Sequence, residues 1–119
     1  MSQPPVLFVI DHDAGTARAL RDDLARRFGG DFRVIAETKA PAGLSVLRGL
    51  AELHERVALL IVDYGLSGMP GVDFLACAHE MHPLAKRVLL ATPSSIRKPR
   101  RSSRRSARAR RMSWTTAMS

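Results

Sequence analysis

Two groups of carboxylates dominate the chemistry that this chain of 119 residues could perform. Asp11-His12-Asp13 closes the apolar run Val6-Leu7-Phe8-Val9-Ile10, and Asp63 closes a second run, Ala58-Leu59-Leu60-Ile61-Val62. Carboxylates brought together repel one another unless a cation lies between them, and hard oxygen donors favour magnesium. An aspartate beside such a cation can act as a nucleophile toward phosphorus, because the metal screens its charge from an incoming phosphoryl group. Cys77, His79 and His82 offer softer donors. Cys77 and His79 are two apart on a helix and face different ways, so a buried thiol with surface histidines is expected rather than a metal cluster.

The elements that would position the carboxylates follow from apolar periodicity. Both apolar runs are unbroken and rich in branched residues, as parallel strands covered on both faces are. From Thr16 to Phe28, Ala17, Leu20, Leu24 and Phe28 recur at helical spacing, and Gly29-Gly30 supplies the stop. Phe32 to Ala36 suits an edge strand. Pro41 opens a second helix, with Leu44, Leu47, Leu50, Ala51 and His54 on one face. A loop containing Gly65, Gly68, Pro70 and Gly71 leads into a third helix from Val72 to about Met81, ended by Pro83, and Arg87 to Leu90 is a fourth strand. This alternation specifies an open parallel α/β sheet with helices on both faces. Ligands of such sheets bind outside the carboxyl ends of the strands where the winding reverses, and the strand order 2-1-3-4 brings Asp11, His12 and Asp63 into one pocket there.

At these residues the chain resembles the receiver domains of two-component response regulators, over about residues 5 to 92. The most specific stretch is Leu59 to Leu75, LLIVDYGLSGMPGVDFL. The resemblance implies a flavodoxin-like, doubly wound (CheY-like) fold and a signalling module rather than an enzyme. Asp63 would accept a phosphoryl group from a histidine kinase or phosphotransfer protein. Magnesium would be held by Asp11, Asp63 and the backbone carbonyl of Gly65. The segment FLACAHEMHPLAKRVLL is similar to receivers found ahead of thioredoxin-reductase-like flavoenzymes.

Several positions depart from the family pattern. His12 stands where a second acidic metal ligand is expected; imidazole suits zinc, copper or nickel better than magnesium, so the site is weakened unless Asp13 replaces it. A solvent-facing His12 in a decayed site is the simpler expectation. Ser67 replaces a loop proline. The hydroxyl expected at the end of strand four falls on Ala91, with Thr92 one place late as the alternative switch residue. Lys98-Pro99 imitates the family's lysine-proline pair but follows strand four too closely to be it. The fold is therefore expected to be incomplete after strand four, leaving that strand as an open edge.

Charge divides the chain at the same place. Residues 1 to 92 carry 10 Lys+Arg and all 11 acidic groups, whereas residues 93 to 119 carry 9 basic groups and no acid. The expected organisation is a receiver-like domain over 1–92 and an Arg/Ser-rich disordered tail over 93–119, whose composition fits out-of-frame translation of a GC-rich gene. Two rival functions arise. The tail would bind nucleic acid without sequence preference, although Trp114 alone is no stacking platform. Asp11 and Asp13 resemble the Asp-x-Asp-x-Thr motif of haloacid-dehalogenase-type phosphatases, but Gly15 occupies the threonine position. One cysteine, no apolar leader and no run of membrane-spanning length point to the cytoplasm.

Overall fold

The computed structural model describes residues 3–91 and the backbone of 115–118. Strands β1 (Val6–Ile10), β2 (Arg33–Glu37), β3 (Val57–Asp63) and β4 (Lys86–Leu90) alternate with helices α1 (Ala14–Phe28), α2 (Ala40–Glu52) and α3 (Gly71–Met81); β5 (Thr115–Met118) follows. They form one sheet in the order β2-β1-β3-β4-β5, parallel among the first four strands. The expected order 2-1-3-4 is therefore the observed one. Strand four differs from expectation. Its outer edge is covered, because β5 pairs antiparallel to it with Leu90 opposite Thr115 and Arg87 opposite Met118. The unpaired backbone groups of an edge strand recruit another strand readily, and the β-branched Thr115-Thr116 suits that use. Residues 115–118 are thus not part of a structureless tail. Residues 93–114, Thr92, Lys98 and the side chain of Trp114 lie outside the described residues.

Burial on both faces explains why the first strand lacks alternation, whereas Leu59 and Ile61 of β3 are only half-buried on one of its faces. Val6, Phe8 and Ile10 enter the main core with Leu60, Val62, Phe74, Leu75 and Leu47. Leu7 and Val9, on the opposite face, are also buried. Phe8 and Phe74 stack with ring centroids 6.3 Å apart and planes 7° from parallel, joining β1 to α3.

Three local expectations are corrected. His54 is not on the face of α2: the helix ends at Glu52, and His54 takes a left-handed conformation with φ 59°. The His54 N–H donates to Ala51 O (3.0 Å) and the Glu55 N–H to Leu50 O (2.9 Å), the two bonds of a Schellman motif. Cys77 is exposed rather than buried, because Phe74, Leu75 and Ala78 take the inward face of α3. His82 is buried rather than at the surface, its Nε2 lying 2.8 Å from Leu47 O in α2.

Candidate functional site

The β1–β3 register builds the site. Ile10 pairs with Val62, so the next residue of each strand, Asp11 and Asp63, emerges at the same carboxyl end. Both carboxylates are buried, at 4% and 1% exposure, in a position where most acids would be solvated. Backbone donors orient each one. The Asp13 N–H donates to Asp11 Oδ1 (2.9 Å) and the Gly65 N–H to Asp63 Oδ1 (3.0 Å). The close approach of α3 fixes Asp63 from below. Gly71 begins that helix against the Asp63 carbonyl, and its N–H donates to Tyr64 O at 3.2 Å. A Cβ at Gly71 would collide with the Asp63 carbonyl oxygen and lie 2.9 Å from Tyr64 Cα, so only glycine fits.

His12 does not face solvent alone. Its Nδ1 lies 2.5 Å from Asp63 Oδ2 and 3.8 Å from Asp11 Oδ1, while its backbone N–H donates to Asp63 Oδ2 at 3.2 Å. The ring is 34% exposed, which makes it the solvent-facing wall of the pocket. Asp63 raises the His12 pKa through this hydrogen bond. Burial, reinforced by the nearby Asp63 charge, pushes Asp11 up to about 6 against the opposing Asp13 backbone bond. The sequence clue to the His12 contact was its place immediately after Asp11, but the side-chain direction depends on the β1–β3 adjacency.

Asp13 is elsewhere. It is the N-cap of α1, its Oδ2 accepting from the Thr16 N–H (3.2 Å) and the Thr16 hydroxyl (2.6 Å), and the hydroxyl bond chiefly lowers its pKa. The structure therefore brings together Asp11, His12 and Asp63, with Gly65 through its N–H, and assigns Asp13 to helix capping. After Leu90, which pairs with Asp63, the chain continues with Ala91, which has no hydroxyl. Among the described residues the lysines are Lys39, just before α2 beside the edge strand β2, and Lys86, at the opposite end of β4.

The three side chains offer ligand atoms that all lie within 4.8 Å of one another. They form a mixed set of two carboxylates and an imidazole, which does not fit the all-oxygen octahedral shell of magnesium. The His12 nitrogen already stands against the oxygen that a hard cation would need.

No protein-family model matches the chain, and no curated protein does. Solved structures do match. A response regulator protein from Burkholderia pseudomallei, solved with a phosphorylated aspartic acid, a calcium ion and citrate, superposes with a TM-score of 0.62 at 22% identity, over 73% of this chain and 46% of that one. A CheY-like response regulator receiver domain protein from Methanospirillum hungatei gives a TM-score of 0.58 at 22% identity, covering 75% and 65%. An adenylate cyclase from Rhodopirellula baltica gives 0.58 at 18% identity, covering 89% and 84%. The chain thus spans less than half of the Burkholderia protein and under two thirds of the Methanospirillum one. Four parallel strands in the order 2-1-3-4, with helices between them, give this chain the fold of a response-regulator receiver domain, incomplete after the fourth strand.

Proposed function

We propose that the chain is a signalling receiver in which Asp63 accepts a phosphoryl group from a phosphohistidine of a histidine kinase or phosphotransfer protein, at a reduced rate. The observation that carries this reading is the placement of Asp63: a buried carboxylate at the carboxyl end of the central strand, oriented by the Gly65 N–H and paired with Asp11. In the step itself an Asp63 oxygen attacks phosphorus, the bond from phosphorus to the histidine nitrogen breaks, and the imidazole leaves with its electron pair. The chain is the acceptor in this reaction. The Burkholderia neighbour, with its phosphorylated aspartic acid, supports the assignment by likeness of fold.

Two features slow the transfer. The His12 ring lies on Asp63 Oδ2 and must withdraw before a phosphoryl group can approach that oxygen. Among the described residues no hydroxyl follows Leu90, since Ala91 stands there, and the loss of a single electrostatic contact of this kind costs about 3 kcal/mol in other enzymes. The phosphatase alternative has less support, because Asp13, its acid/base, is spent on Thr16.

Incubation with a small phosphodonor followed by mapping of the modified residue tests the assignment. Label on Asp63, abolished by Asp63→Asn and slowed but still mapped to Asp63 in Asp11→Asn, is expected. Label that requires Asp11 as the acceptor would favour the phosphatase reading instead.

A further inference from the structure

The disagreement between this pocket and a magnesium shell points to a different ion. We propose that Asp11, His12 and Asp63 form a binding site for a borderline first-row dication, Zn2+ or Ni2+, with His12 Nδ1 as its nitrogen ligand. The inference concerns the pocket of the proposed receiver but stands on the donor set alone, not on phosphoryl transfer.

Three observations carry it. First, the donors are of mixed type: one imidazole nitrogen and two carboxylates, with ligand atoms within 4.8 Å of one another. Imidazole suits zinc, nickel and copper, whereas magnesium is served by carboxylate, carbonyl and water oxygens. Secondly, Nδ1 and Asp63 Oδ2 are 2.5 Å apart, and Nδ1 and Asp11 Oδ1 3.8 Å apart. Metal–ligand bonds of about 2.0–2.2 Å place neighbouring ligands roughly 3 Å apart, so the ion replaces the proton shared by Nδ1 and Oδ2 after a small outward movement of the ring. The ring can make that movement because it forms the partly exposed wall of the pocket, at 34% exposure. Thirdly, Asp11 and Asp63 are buried side by side at 4% and 1% exposure, an arrangement of like charges that a dication relieves more fully than one imidazolium does. Three protein ligands leave a fourth position open toward solvent, the coordination of an accessible rather than a closed zinc site.

Calorimetric titration of the chelator-treated, unphosphorylated full chain with Zn2+, Ni2+ and Mg2+ tests the proposal. One Zn2+ per chain, bound at least tenfold more tightly than Mg2+, is expected. His12→Asn should weaken Zn2+ at least tenfold, and His12→Asp should tighten Mg2+ while weakening Zn2+. Addition of Co2+ to the unmodified chain should displace the His12 ring-proton resonances strongly, a readout that needs no variant to fold. Equal or tighter binding of Mg2+ would overturn the proposal. So would Zn2+ binding that survives His12→Asn unchanged, or Co2+ shifts confined to His79 or His82. Failure of Asp63 to accept phosphate would leave these binding results unaffected, so the two readings fail separately.

Discussion

Asp11 and His12 make the stability of the molecule depend on pH in the same direction. Asp11 has a folded pKa of about 6 against an ordinary 3.8, so between those values the folded chain holds more protons than the unfolded one and loses stability as pH rises. The His12 contribution is complete below the ordinary imidazole value and is lost as pH rises through its raised folded value. In metal-free buffer the Tm should therefore fall from pH 4 to 6 and again as pH rises above the ordinary imidazole value of 6.5. The first loss corresponds to roughly 1–3 kcal/mol and should disappear in Asp11→Asn. A Tm that rises between pH 4 and 6 would contradict the burial of an ionisable Asp11 between Asp63 and the backbone. At this scale the sequence was legible where an acid terminates an apolar run, which identified Asp11 and Asp63. It was not legible for His12, whose ring direction is set by the neighbouring strand, nor for Asp13, whose carboxylate could equally serve a pocket or cap the helix through Thr16 three residues on.

The elements carry two tests of how the site is held. Gly71 starts α3 in contact with the backbone of Asp63, so Gly71→Ala should cost about 1–3 kcal/mol, the scale of a core substitution that forces a backbone shift. Chemical denaturation would measure it, and an unchanged midpoint would show that α3 can move off β3 freely. His54 ends α2 at φ 59°, where a side chain is strained and glycine is not. His54→Gly should therefore stabilise the chain by about 0.5–1 kcal/mol, seen as a higher Tm. Strands and helices were legible because continuous apolar runs and 3.6-residue spacing survive without tertiary context. The end of α2 was misjudged because its Schellman motif places histidine where glycine usually signals the stop. The buried His82 was missed because its ring reaches back to a carbonyl of another helix, which no local pattern records.

At the scale of the molecule, the sheet is unequally covered. Register places Leu59, Ile61, Val88 and Leu90 on the same face as Leu7 and Val9, yet these four are only partly buried. Among the described residues α1 is the helix on that face, and it packs on β1 and β2. The chain should associate as its concentration rises, measured by light scattering, and a monomer unfolding cooperatively at high temperature would contradict that expectation. Its 9 basic groups beyond residue 92, with no acid among them, should bind DNA only at low salt; retention at physiological salt would favour the nucleic-acid function. The parallel order was legible because β-α-β connections allow few topologies, whereas β5 lay beyond an Arg/Ser-rich stretch with no strand signal. If Asp63 is the acceptor and His12 alters the cation chemistry of its pocket, the rate at which a small phosphodonor labels Asp63 in magnesium should differ between the unmodified chain and His12→Asp. Slow labelling of the unmodified chain and at least tenfold faster labelling of His12→Asp is the predicted result. Rapid magnesium-dependent labelling of the unmodified chain, abolished by Asp63→Asn and no faster in His12→Asp, would contradict it.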